Sequence, residues 1–133
     1  MTITGRCHCG AISYAAEGEP VYEAICHCSD CRRHAGAPMV GWAAFPADAI
    51  KVDGETRIYA SSDHGRRHFC GSCGTSLFYT NHVALPGLFD IQSGTFDDPG
   101  ARPPSVQVQC VERLAWMDRL ESFPKYDRYP SPD

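Results

Sequence analysis

Seven of the chain's eight cysteines fall into three groups: Cys7-His8-Cys9, then Cys26-His27-Cys28-Ser29-Asp30-Cys31, then Cys70-Gly71-Ser72-Cys73, with Cys110 alone. Thiols clustered at two- and three-residue spacing suit a soft metal ion better than isolated redox work. On an extended strand residues two apart point the same way, so Cys7 and Cys9 can converge on one ion. In the Cys70–Cys73 knuckle the chain must turn tightly enough to aim amides at sulfur, and Gly74 follows at the position that relieves such a turn. Neither doublet fills a four-coordinate ion. Together they give a closed four-cysteine zinc site, with sulfurs about 3.8 Å apart at a Zn–S distance of ~2.3 Å.

The triplet Cys26, Cys28 and Cys31 differs. Three thiolates from one short segment leave a fourth tetrahedral position, as at catalytic zinc. Water, Asp30, His27, His34 or an incoming substrate are the candidates for it. Zinc held by three thiolates carries net negative charge and is a poor activator of water, so binding a further thiol as its thiolate is the more natural chemistry. Arg32, next in sequence, is the cation expected to offset that charge, which makes Cys26, Cys28, Cys31 and Arg32 the candidate catalytic set.

These residues carry a resemblance. Gly5-Arg6-Cys7-His8-Cys9-Gly10, Cys26-His27-Cys28-Ser29-Asp30-Cys31-Arg32 and Phe69-Cys70-Gly71-Ser72-Cys73-Gly74-Thr75, in this order and separation, resemble the glutathione-dependent formaldehyde-activating enzyme family, which also contains centromere protein V. The family's Gly-Thr-Pro after the knuckle reads Gly74-Thr75-Ser76 here. The resemblance implies a β-tent of small, bent antiparallel sheets. It implies a structural zinc at Cys7, Cys9, Cys70 and Cys73, and a second zinc at Cys26, Cys28 and Cys31 where the thiol of glutathione binds. The implied reaction joins glutathione to formaldehyde, as a carbon–sulfur lyase run in the bonding direction. The other reading is a non-catalytic binding or scaffold module in which both zincs are structural.

The elements that must position these thiols are short strands. Segments rich in β-branched and aromatic residues, bounded by Gly and Pro, predict strands over Ala11–Ala15, Val21–Ile25, Met39–Phe45, Arg57–Ala60, Leu77–Thr80, Leu88–Ser93 and Val106–Val111. Only Pro46–Ile50 reads as helical. The fold class is all-β, a zinc-stapled multi-sheet domain over residues 1–124 with an irregular tail over 125–133. Cys110, among valines, is expected to be a small buried hydrophobe. His8 and His27 are expected to point away from metal, and His34 to pack or lie at the surface.

The chain has 133 residues, 43% hydrophobic and 21% charged, which suits one globular domain. A formal charge of -4 and no basic run longer than Arg32-Arg33 or Arg66-Arg67 argue against nucleic-acid binding. No apolar stretch approaches the ~20 residues of a membrane span. Residues Met1–Gly10 lack the pattern of a signal peptide, so the cytoplasm is the expected compartment, where thiols stay reduced. The expected partner is a small thiol such as glutathione.

Overall fold

The computed structural model of the chain describes residues 1–131. Among them, ten strands form two sheets. The strands are β1 (Thr2–Arg6), β2 (Ser13–Glu17), β3 (Tyr22–Cys26), β4 (Val40–Pro46), β5 (Ile50–Asp53), β6 (Arg57–Ala60), β7 (Gly65–Phe69), β8 (Ser76–Asn81), β9 (Leu88–Gln92) and β10 (Val106–Val108). The small sheet runs β1-β2-β5 and the large one β10-β3-β4-β9-β8-β7-β6. The strand pairs are antiparallel except β10 on β3, which is parallel because the chain returns to that edge by a long connection rather than a hairpin.

The fold class is all-β, as the sequence indicates, but several elements are additional to that reading. β1, β5 and β7 were not expected. The segment of β7, Gly-Arg-Arg-His-Phe, hides its pattern because Arg67 itself is buried. A helix, α1, spans Ser29–Ala35. It is too short and polar to show an apolar stripe, yet both ends are defined: Cys28 caps its start, and Gly36 at φ 66 closes it with an N–H donated to Arg32 O. The segment expected to be helical at Pro46–Ile50 is a single 3-10 turn, Ala47–Ala49. A longer 3-10 stretch, Ala115–Ser122, was not anticipated. Past it the chain from 124 to 131 has no regular element.

Cys110 is a correction. The last strand stops at Val108, Gln109 takes the left-handed region at φ 55, and Cys110 opens an exposed 3-10 turn instead of lying in a buried strand. A residue at positive φ cannot continue the ladder, so the valines flanking it do not share one buried face.

The core sits between the sheets. Tyr14 and Ala16 of β2 face Ala43 and Phe45 of β4, with Ile91 of β9 and Phe78 of β8 beside them. β4 is covered on both faces and so loses simple alternation: Trp42, Ala43, Ala44 and Phe45 are all buried. Its small residues let large neighbours close over it. The other face of the large sheet, carrying Tyr22, Ala24 and Cys26 of β3 and Trp42 of β4, forms one wall of a cavity.

Candidate metal centres

Cys7, Cys9, Cys70 and Cys73 come together with all four sulfurs within 4.8 Å of one another. Cys7 Sγ lies 3.7 Å from Cys9 Sγ, and Cys9 Sγ 3.8 Å from Cys70 Sγ. Those are the edges of a tetrahedron about a zinc ion with Zn–S of ~2.3 Å. The local geometry of the first doublet corrects the strand expectation. β1 ends at Arg6, and Cys7–Gly10 is a turn in which Gly10 at φ 83 donates its N–H to Cys7 O. Amides still reach sulfur: Ile12 N donates to Cys7 Sγ at 3.3 Å and Cys73 N to Cys70 Sγ at 3.5 Å. Gly74 takes φ 82, as the knuckle requires. Hydrogen bonds from the Thr75 hydroxyl and amide lower the Cys73 thiol to about 5, which favours its thiolate form. Cys7 and Cys70 are buried while Cys9 and Cys73 are exposed, so the centre ties the turn after β1 to the knuckle after β7 from the edge of the core.

Cys26, Cys28 and Cys31 also bring their sulfurs within 4.8 Å of one another. Cys26 ends β3, Cys28 caps α1, and Cys31 lies in that helix's first turn. The Cys28 sulfur accepts from Cys31 N at 3.2 Å, the capping role a Ser or Asp usually fills. Hydrogen bonds among the three thiols and burial shift them in different directions. Cys26 is lowered, chiefly by its hydrogen bond from Cys31, and Cys31 is raised by that same bond and by burial. Burial raises Cys28. Three thiolates this close repel one another, and a soft divalent ion would offset more of that charge than a single arginine can. The donor set therefore fits zinc at both clusters. Among the described residues no cysteine is in a disulfide.

The second cluster opens on a cavity of about 260 Å³. Its walls come from strand register. Tyr22 pairs with Ala44, Ala44 with Asp90, Asp90 with Tyr79 and Tyr79 with Arg67. Directly opposed residues share a face, so this row crosses five strands on the cavity side. Ala44 is small enough for the Tyr22 hydroxyl to reach past it and donate to Asp90 Oδ2 at 2.6 Å. Arg67 is 6% exposed, stacks its guanidinium 4.8 Å from the centre of the Tyr79 ring, and donates from Nη1 to Cys31 Sγ at 3.7 Å. Trp42 packs edge-on to Tyr79.

Arg32 is not on that wall. It follows Cys31 on α1 and its charge acts on Glu112, whose carboxylate is held low by Gln109, by Ser29 and by Arg32 itself. The cation beside the thiols is Arg67. Asp30 does line the cavity. His27 is buried, its Nε2 2.8 Å from Gln107 Oε1, and His8 is exposed. His34 packs against Tyr59, with Nδ1 2.8 Å from Ser76 Oγ. Sequence reasoning missed Arg67, Tyr22, Asp90 and Tyr79. The one available signal was Asp90, a lone carboxylate inside the apolar run Leu88–Ser93.

The profile of the family described as glutathione-dependent formaldehyde-activating enzyme matches residues 2–112. An uncharacterized lyase of Schizosaccharomyces pombe is 34% identical over 79 residues, covering 58% of each chain, so the match spans little more than half of that relative. A putative glutathione-dependent formaldehyde-activating enzyme of Halomonas elongata is 30% identical over 130 residues, covering 89% of this chain and 81% of that one. A crystal structure of a Rhodobacter sphaeroides protein superposes with a TM-score of 0.61 at 23% identity, over 79% of this chain and 99% of that one, a likeness of fold. By the extent of the profile match, the chain belongs to the glutathione-dependent formaldehyde-activating enzyme family.

Proposed function

We propose that the protein is a zinc-dependent carbon–sulfur lyase that joins a glutathione-like thiol to a small aldehyde at Cys26, Cys28 and Cys31. The observation that carries this reading is the cavity itself: all three thiols of the second cluster line it, together with one buried arginine. A purely structural cluster has no need of such a cavity. Zinc held there supplies stabilisation of an incoming thiol's thiolate form. The remaining work falls to the chain. Arg67 offsets the negative charge of the sulfurs from within the protein, where a charged hydrogen bond counts for more than at the surface. Trp42, Tyr79 and Leu85 supply the apolar part of the lining beside the sulfurs. The substrate sulfur then attacks the carbonyl carbon, a C–S bond forms, and the former carbonyl oxygen takes up a proton.

The cavity is smaller than the ~300–1,000 Å³ of drug-sized ligand sites. It suits the reacting end of a thiol and a one- or two-carbon aldehyde, with the rest of a tripeptide thiol lying outside. The four-cysteine centre is read as a structural zinc and the compartment as the cytoplasm. Among the described residues no helix is long and apolar enough to cross a membrane.

The test is exchange spectroscopy by NMR on the zinc-loaded protein with glutathione and formaldehyde. The expected result is faster interconversion of free formaldehyde and S-hydroxymethylglutathione, abolished by Cys28→Ser. No acceleration over buffer overturns the lyase reading.

A further inference from the structure

Asp90 is the most unusual side chain at the cavity. It is 4% exposed, in the middle of β9, with apolar Phe89 and Ile91 on either side. Its Oδ2 accepts the Tyr22 hydroxyl, but Oδ1 is buried with no hydrogen-bond partner among the described residues. Leaving a buried carboxyl oxygen unsatisfied costs about 1–3 kcal/mol, more if the group is charged. A Leu or Val would pack this strand position without that penalty. The register row puts Asp90 on the same sheet face as Tyr22, Tyr79 and Arg67, and it lines the same cavity as the three thiols. A polar group left unpaired beside a reactive site is free to pair with a substrate.

We infer that Asp90 is the proton-transferring group of this cavity: as the carboxylic acid it hydrogen-bonds the aldehyde oxygen and protonates it as the carbon–sulfur bond forms, and as the carboxylate it takes the hydroxyl proton when that bond breaks. The inference rests on the lyase reading above. The balance closes. In the forward direction the thiolate sulfur supplies the electron pair of the new C–S bond, the C=O π pair moves to oxygen, and the Asp90 proton passes to that oxygen. The products are the S-hydroxymethyl adduct and the Asp90 carboxylate, which regains a proton from solvent to replace the one the thiol lost on ionising. No oxidant or reductant is needed.

The surroundings fit an acid that is neutral when it acts. Burial raises Asp90 to about 7, and the Tyr22 hydrogen bond pulls it the other way. The titratable and charged groups around the cavity are Tyr22 and Cys26 on β3, Asp30 and Cys31 on α1 with Cys28 at its cap, Arg67 on β7 and Tyr79 on β8. Among the described residues that line the cavity Arg67 is the one cation, and it is engaged by Cys31 and the Tyr79 ring. Tyr22 is therefore a positioning residue, fixing Oδ2 of Asp90 and leaving the buried Oδ1 without a partner among the described residues.

The experiment compares zinc-loaded wild type, Asp90→Asn and Tyr22→Phe. First, the carboxylic-acid stretch is followed by infrared difference spectroscopy across pH, with no substrate. The expected result is a band that titrates near about 7 in wild type and is absent from Asp90→Asn. Second, the NMR exchange rate is measured at saturating thiol. Asp90→Asn, folded and with equal zinc, should be slower by about 100-fold or more, the usual contribution of a positioned acid or base. In wild type the forward rate should fall as pH rises through the midpoint. Tyr22→Phe removes a bond that lowers Asp90, so its midpoint should move to higher pH in both readouts.

If Asp90→Asn stays within about threefold of wild type while wild type is active, the inference falls and the lyase reading stands. If wild type itself gives no acceleration, both fall. Should Asp90→Asn fail to fold, Tyr22→Phe decides: an unmoved midpoint overturns the role of Asp90. Identical infrared spectra for wild type and Asp90→Asn overturn it without reference to turnover.

Discussion

Arg67 Nη1 lies 3.7 Å from Cys31 Sγ, and the same guanidinium sits 4.8 Å over the Tyr79 ring. One side chain from β7 thereby joins the thiol cluster on α1 to the central strands of the large sheet. The pair sets the electrostatics of the second centre, since Arg67 is the buried cation on the cavity wall. Arg67→Ala should weaken zinc retention at that centre by about 10-fold or more, given about 1.5–3 kcal/mol for a hydrogen bond to a charged group. Arg67→Lys should recover part of this, because it keeps the charge but not the planar stack. Competition with a chromophoric chelator, resolving the two zinc ions, checks it. Equal retention in wild type and Arg67→Ala would remove Arg67 from the account.

The two centres should differ in what they hold together. Cys9→Ser or Cys70→Ser should lower the thermal midpoint and soluble yield far more than Cys28→Ser. The four-cysteine centre staples the turn after β1 to the knuckle after β7, across 61 residues of sequence. Metal binding at such a closed site is folding free energy, about 10–16 kcal/mol in zinc-finger peptides at neutral pH. The three-cysteine centre lies within Cys26–Cys31 and closes no long loop. Calorimetric scans of the three variants measure the difference, and equal losses would contradict the division of roles.

Asp90 also predicts a pH dependence of stability. Its folded value, about 7, lies above the ordinary 3.8 because burial disfavours the carboxylate. The folded state therefore binds more protons than the unfolded state between these values, and this contribution to stability is lost as pH rises through about 7. At about 1.4 kcal/mol per tenfold change in ionisation, the full effect is at most about 4 kcal/mol. Asp90→Asn should gain stability relative to wild type as pH goes from 5.5 to 8. Denaturant unfolding at several pH values on zinc-loaded protein reads this directly. A wild-type-minus-variant difference that does not change with pH would mean that Asp90 is already ionised throughout.

The cysteine groups were legible because thiols able to converge on one ion are written in local spacing: Cys7 with Cys9, Cys26 with Cys28 and Cys31, Cys70 with Cys73. The β character was legible from the short segments around Tyr22–Cys26, Val40–Pro46 and Leu88–Gln92. The cavity was not. Its walls depend on which residue of one strand opposes which residue of the next, and the Tyr22–Ala44–Asp90–Tyr79–Arg67 row spans most of the chain. Sequence proximity pointed to Arg32 as the charge partner. Arg32 instead stays off the cavity wall, its charge felt by Glu112, while a residue 36 positions from Cys31 takes the place. Cys110 was misread because the turn at Gln109 depends on one positive φ that composition does not reveal.

The central claim is that the three-cysteine centre binds a thiol through its sulfur. The most direct measurement is calorimetry of glutathione binding to zinc-loaded protein in two buffers of different ionisation enthalpy, with S-methylglutathione as the control. Binding as a thiolate releases a proton, so the apparent enthalpy should differ between buffers, and affinity should rise with pH until the free thiol ionises near ~8.5. Cys28→Ser should abolish binding while the protein stays folded. Binding of S-methylglutathione as tight as that of glutathione, or no proton release, would contradict the account.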